Sequence, residues 1–205
     1  MGFKLSLKLG GKRAESDGKN TKREIQSFGS NVIKGARKTL SKLGKSQGNL
    51  YSGMSYDFTD IDNGYEIDFD FGKANNYWRF IDQGVRGKGG AGTGTGKVRG
   101  GKSSFAFKNK QPPSSALISW AKKKGIRGRN KQGRFISDKS LGFLLARSVF
   151  RRGIVRSLFF TSSFNQQFAN FEENIGNAIL KDFEDVWNEL PKTILEVKME
   201  KLNMK

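Results

Sequence analysis

Hydrophobic and polar positions follow two different periods along this chain, and each change of period marks an element. Phe3, Leu5, Leu7 and Leu9 alternate with Lys4, Ser6 and Lys8, the period-two pattern of a strand with one buried face. No second strand pattern lies close enough for a local hairpin. This arm over 1–10 is therefore expected to pair with a distant strand or with a strand of another subunit. Ile25, Phe28, Val32, Ile33, Ala36, Leu40 and Leu43 then recur at helical spacing. Thr21 and Glu24 stand in front of them at capping-box spacing, and Gly44 suits the residue after the helix end. Lys22, Lys34, Arg37, Lys38 and Lys42 occupy the opposite face.

The period returns to two in MSYDFTDIDNGYEIDFDF, where Asn63-Gly64 is a strong hairpin-turn signal because both central positions of a type I′ turn need positive φ. A turn centred there pairs Tyr56 with Phe71, Phe58 with Phe69 and Asp60 with Ile67 on an aromatic face that should pack on the first helix. The other face pairs Asp57 with Asp70 and Thr59 with Asp68, with Glu66 beside Ile61. Opposed carboxylates repel by about 0.2–1 kcal/mol per pair, so this face wants solvent, a metal, or basic side chains of a neighbouring copy. Tyr77-Trp78-Arg79-Phe80-Ile81 reads as a short strand or a tight turn at the sheet edge.

Past that point the pattern dissolves, and residues 84–104, GVRGKGGAGTGTGKVRGGKSS, read as a flexible glycine-rich insertion. Pro112-Pro113 opens a helix containing Leu117, Trp120 and Ala121, which Gly125 ends. After the basic loop IRGRNKQGR, Asp138 is expected to cap a helix with Leu141, Leu144, Leu145, Ser148 and Val149, ending at Gly153. Phe164, Phe168, Phe171, Ile175, Ala178, Ile179, Phe183, Val186, Trp187 and Leu190 then form one helical stripe, read as core, which Pro191 stops. Residues 191–205 are expected to be a tail or a terminal strand presenting Leu195, Val197 and Met199. The sum is an α+β fold in a single domain over 1–205. Its antiparallel sheet carries a central β-hairpin packed against a long N-terminal helix and C-terminal helices, with long Gly/Lys-rich loops.

Charge sharpens this outline. The 205 residues carry a formal net charge of +19, and no Asp or Glu falls between Gln83 and Ser137. Arg86, Lys88, Lys97, Arg99, Lys102, Lys122, Lys123, Lys124, Arg127, Arg129 and Lys131 all lie in that acid-free block, while acids gather in the hairpin before it and the last helix after it. Such polarity suits a polyanion or a second copy of the chain. Cysteine and histidine are absent, which excludes disulfides, Cys/His zinc sites, thiol nucleophiles and the usual neutral-pH proton carrier. No run of about eighteen apolar residues marks a membrane span, and the N-terminal alternation is not a signal-peptide core, so a soluble protein without a cleaved signal is expected.

One stretch resembles a phosphate loop. GKVRGGKS, from Gly96 to Ser103, fits G-x-x-x-x-G-K-[ST], yet a glycine-rich segment precedes it and SFAFKNKQPP follows, in place of a buried strand and a helix. GKGGAG, from Gly87, matches a dinucleotide pattern in the same way. No cofactor is expected at either.

The order of the remaining pieces carries a family resemblance. A long amphipathic helix is followed by Gly48-Asn49-Leu50 with Ser52 or Ser55, a hairpin, and then Tyr77, Phe80, Ile81, Asp82 and Gly84 in a Y-x-x-[FY]-[VI]-[ED]-x-G pattern. LARSVFRRGIVRSLFF follows, with Leu158 where a proline is usual. This resembles the neck and tail-completion proteins of tailed bacteriophages. The resemblance implies a non-enzymatic virion protein, assembled in the bacterial cytoplasm, forming a homo-oligomeric ring in the head-to-tail connector. Other connector, portal-side and tail proteins would be its neighbours, with genomic DNA in the channel. Asp57, Glu66, Asp68 and Asp70, with Phe3, Leu5 and Leu7, are the candidate subunit interface; the basic residues named above are candidate contacts for DNA or a connector neighbour. A basic nucleic-acid-binding protein is the alternative.

Overall fold

A computed structural model describes residues 3–8, 18–62, 64–89 and 103–203, with backbone alone for 3–8 and 189–203. The chain is an α+β protein whose contacts divide it into two compact units, Met1–Asn76 with Phe159–Lys205, and Tyr77–Leu158.

The first unit holds β1 (Phe3–Lys8), α1 (Lys19–Lys42), the short α2 (Asn49–Ser52), β2 (Ser55–Ile61), β3 (Gly64–Asp70) and α6 (Phe159–Asn203). Its sheet has the order β1-β3-β2, antiparallel throughout. The N-terminal strand therefore pairs with β3 of its own chain, Leu5 opposite Ile67, which resolves the choice between a distant strand and another subunit.

The hairpin register differs from the expected one by two residues. Tyr56 stands opposite Phe69, Asp57 opposite Asp68, Phe58 opposite Ile67 and Thr59 opposite Glu66. The faces survive, because side chains alternate with period two and a two-residue shift leaves each on its own side. Two contacts favour the shift. Asp70 accepts from the Gly72 N–H at 3.1 Å and from the Asn75 amide, ending β3 in a turn. Phe71, released from the ladder, packs edge-on against Phe159 and Phe160 at 6.3 and 5.2 Å between ring centroids.

α1 and α6 run antiparallel, and their core is aromatic: Phe28 meets Phe164, Phe168 and Phe171 at 4.5–6.4 Å. Phe69 on the hairpin reaches the same cluster through Phe160 and Phe164. Close approach is set by glycine, since a Cβ on Gly29 would lie 2.7 Å from the Tyr56 ring and one on Gly35 2.9 Å from the Ser163 hydroxyl. Gly44, at φ 65°, closes α1 as expected, with the Lys45 N–H bonded to the Leu40 carbonyl and the Gly44 N–H to that of Ser41.

The start of α1 departs from the sequence reading. The helix begins at Lys19, and Thr21 and Glu24 do not form a capping box. Both turn to α6 instead. The Thr21 hydroxyl and N–H donate to Asp182 at 2.6 and 2.9 Å, and Glu24 accepts from Asn174 at 3.0 Å.

α6 also departs: it is one helix of 45 residues that passes through Pro191 to Asn203, where a stop and a terminal tail or strand were expected. An interior proline costs about 3 kcal/mol, but KTILEVKMEKLN beyond it consists largely of good helix formers, and Leu195, Met199 and Leu202 repeat at i, i+4, i+7. The strand-like alternation of Leu195, Val197 and Met199 is the weaker of two periods in the same letters.

The second unit contains α3 (Trp78–Gln83), β4 (Val85–Arg86), α4 (Ser114–Lys123), α5 (Asp138–Arg152) and β5 (Gly153–Ile154). Trp78 to Gln83 is thus helical, where a strand or turn was expected. β4 pairs with β5, and residues 86–89 bond to both 105–107 and 150–151, so the first residues of the expected flexible insertion are strand-paired. Residues 90–102 of that insertion lie outside the described residues. α5 is capped by Ser137, whose hydroxyl accepts from the Ser140 N–H at 3.2 Å, with Asp138 as its first helical residue.

Candidate assembly and polyanion-binding surfaces

The two motifs that carry the family resemblance nearest the middle of the chain meet in the second unit. The Asp82 carbonyl accepts from the N–H groups of Leu158 and Ser157, at 2.8 and 3.1 Å, and the Ile81 carbonyl accepts from the Ser157 hydroxyl at 2.7 Å. Gly84, at φ 73°, lies so close to this segment that a Cβ would stand 2.6 Å from the Ile154 carbonyl oxygen. Of the other motif residues, Tyr77 and Phe80 are exposed, and Asp82 is buried. Leu158 departs from the pattern in geometry as in identity, because its φ of 50° is one proline cannot adopt. In the first unit Gly48 takes φ 132°, Leu50 is buried, and Ser52 donates to the Gly48 carbonyl at 3.2 Å.

The acidic face of the hairpin is formed as a surface, although its pairs differ from those expected. Asp57 and Asp68 are register partners across β2 and β3, and Lys4 occupies the β1 position opposite Asp68. Glu66, Asp68 and Asp70 share one face of β3 by period. Asp70 is engaged within its own turn, where the Asn75 amide, helped by the Gly72 and Phe71 N–H groups, holds its carboxyl below the usual range against the opposing effect of burial. Asp60, on the opposite strand face, meets Lys22 of α1 at 3.2 Å. Among the described residues no group of three or more acids is arranged to hold a metal ion. Phe3, Leu5 and Leu7 stand in register with Phe69, Ile67 and Tyr65 of their own chain.

The basic residues fall into three sets. Arg86 lies within the small sheet of the second unit and Lys88 just after it, with the Lys88 ammonium 5.8 Å from the Phe150 ring centroid. Lys97, Arg99 and Lys102 lie outside the described residues. Lys122, Lys123, Lys124, Arg127, Arg129 and Lys131 come together at the end of α4 and in the loop after it, with Lys122 paired to Asp138 of α5 at 2.9 Å. The loop is held by its own contacts. Gly125, at φ 65°, ends α4, Arg129 bridges to Phe135, and the Asn130 side chain accepts from the Gln132 and Arg134 N–H groups at 3.0 and 2.9 Å.

Phe135 is the part of this loop that sequence reading missed. It is 56% exposed, with the Arg129 guanidinium 4.0 Å from its ring centroid and that of Arg127 at 5.7 Å. Arg129 also donates to the Gly133 carbonyl at 2.7 Å, so its position is fixed before any ligand arrives. An aromatic ring between two arginines in an acid-free loop is suited to a phosphate backbone, since each arginine keeps donors free and loses little freedom on binding. The signal was one letter, a phenylalanine amid Arg127, Arg129 and Arg134 with no apolar period around it.

Ser103, the last residue of the phosphate-loop match, is buried and donates to the Gly84 carbonyl at 2.7 Å, and the chain after it is extended, with a bridge at Ala106. The helix that a phosphate loop needs does not follow it. Among the described residues no helix is long and apolar enough to cross a membrane.

The stripe on α6 is only half core. Phe171 and Ala178 are buried, but Ile179, Phe183 and Trp187 are exposed. Phe171, Ala178 and Asp182 repeat at i, i+7 and i+11 on the face that meets α1, and Ile179, Phe183 and Trp187 lie on the flank beside it, which α1 does not cover. Compared with protein-family models, with curated proteins and with solved structures, the chain matches none.

Proposed function

We propose that the chain is a non-enzymatic structural protein of a tailed-bacteriophage virion, forming a ring in the head-to-tail connector. The observation that carries this reading is the junction of Ile81, Asp82 and Gly84 with residues 154–158. Motifs about seventy residues apart, each weak in sequence, act as one structural knot, which is what a family signature of fold should do. The distribution of charge supports it further. A closed ring is built from heterologous contacts in which one patch meets a different patch, and this chain offers acids on the hairpin and α6 and a predominantly basic surface in its second unit. Its partners in this reading are copies of itself, portal-side and tail proteins, and DNA in the channel, met by the loop around Phe135.

Mass measurement and electron microscopy of the assembled protein test this reading. A closed ring of one copy number is expected; a chain that stays monomeric at every concentration and in the particle contradicts it.

One observation favours a second reading, a nucleic-acid-binding protein: Phe135 between Arg127 and Arg129 interleaves an aromatic with cations. Tight, salt-dependent DNA binding by the isolated monomer would favour it over the connector.

A further inference from the structure

Two exposed helix faces on this chain share one residue spacing and oppose each other in charge. On α6, Leu180, Phe183, Glu184 and Trp187 follow at i, i+3, i+4 and i+7, with the three apolar members 60–62% exposed. Phe183 and Trp187 stack at 6.3 Å between centroids, and Glu173 continues the face toward the N-terminus. On α5, Ser140, Phe143, Leu144 and Arg147 have the same spacing, Phe143 and Leu144 being 49% and 53% exposed, and Arg151 continues the face. Large apolar side chains grouped on an exposed helix face mark an interaction surface rather than a solvated one.

We infer that the α6 face of one copy packs on the α5 face of the next, an inference that rests on the ring reading. The occupant is argued from charge. The α6 face carries carboxylates at Glu173 and Glu184, and the α5 face carries guanidinium groups at Arg147 and Arg151. Each apolar cluster is thus flanked by charge that repels its own kind and attracts the other, which disfavours an α6–α6 or α5–α5 pair. The contact is heterologous and propagates from copy to copy, as a ring requires. Gly176, one turn before Leu180, has open space where a Cβ would stand, so a helix from another copy can approach α6 there.

The chain has no cysteine, so introduced thiols report this contact without background. A chain carrying both Leu180→Cys and Leu144→Cys, oxidised under assembly conditions, should give a ladder of covalent dimers, trimers and larger species. Each single variant should stay monomeric on a denaturing gel. Adding Glu184→Arg should abolish the ladder, and adding Arg147→Glu on top should restore it. If the wild-type chain sediments as an oligomer but the double-cysteine chain gives no ladder, or each single variant gives as much dimer as the pair, the inference falls and the ring reading stands. A wild-type chain that sediments as a monomer throughout overturns both.

Discussion

Asp182 on α6 accepts two hydrogen bonds from Thr21, 2.6 Å from its hydroxyl and 2.9 Å from its N–H, and two from Asn20, 2.8 Å from its N–H and 2.9 Å from its side-chain amide. One carboxylate thereby caps the first turn of α1 from a position 161 residues away. The helix dipole adds to the effect, because the negative charge lies at the end of α1 where N–H groups point outward.

Removing this cap should loosen the first unit. Asp182→Ala leaves four donors without this acceptor and is expected to lower stability by about 2–3 kcal/mol, read from the denaturation midpoint. Burial pushes the Asp182 carboxyl up, but the hydrogen bonds from Thr21 and Asn20 outweigh it and hold it below the usual range. A carboxyl depressed in the folded state contributes stability that is complete above its unfolded pKa of about 3.9 and is lost as pH falls through the lower folded value. The wild-type chain should therefore lose stability below about pH 4 more steeply than Asp182→Ala; parallel acid transitions for the two would refute the assignment.

Leu158 holds φ at 50° while its N–H donates to Asp82 at 2.8 Å. Proline fails on both counts, so Leu158→Pro, the residue usual in the resembling pattern, should cost about 3 kcal/mol or more. Leu158→Gly relieves a left-handed conformation worth about 1–2 kcal/mol and should be close to neutral after the loss of a half-buried side chain. Thermal melts of the two variants separate these outcomes.

Such departures show what was legible in the sequence. Helix periods, the glycine stops at Gly44 and Gly125, and the faces of the hairpin could be read from local letters, because each depends on neighbours within a few positions. The cap at Thr21 could not, because its acceptor is Asp182, whose role depends on the packing of α6 against α1. Phe183 and Trp187 follow the stripe of Phe171 in the letters and look like core; their exposure follows from which flank of α6 packs on α1, which no local pattern encodes. Pro191 reads as a stop by itself, and only the helix-forming residues after it outweigh that reading. In the candidate site, the acidic face and the basic block were visible as composition, whereas Phe135 needed the bridge from Arg129 to place it between two arginines.

Within the hairpin the acids should not be equivalent. Asp70→Asn removes the charge that binds Gly72 and Asn75, so it should destabilise the folded monomer without an assembly partner. Asp57→Lys relieves the repulsion with Asp68, which is worth about 0.2–1 kcal/mol, and should leave the monomer at least as stable. If the acidic face contributes to the ring, Asp57→Lys should nevertheless impair assembly; sedimentation of the two variants beside their melting curves decides it, and unimpaired assembly of Asp57→Lys removes that face from the interface.

The loop after α4 should bind phosphate through Arg129. Arg129→Ala is expected to weaken DNA binding at all sequences alike and to reduce the slope of log K against log salt by about 1. Phe135→Ala should weaken binding too, by freeing both arginines, while leaving most of the slope. An Arg129→Ala slope equal to wild type would place the phosphate contacts elsewhere.

The most direct test of the connector reading is electron microscopy of phage particles assembled without this chain. Heads filled with DNA but lacking tails are expected, with tail attachment restored when the chain is supplied. Complete, tailed, infectious particles formed in its absence would contradict the account.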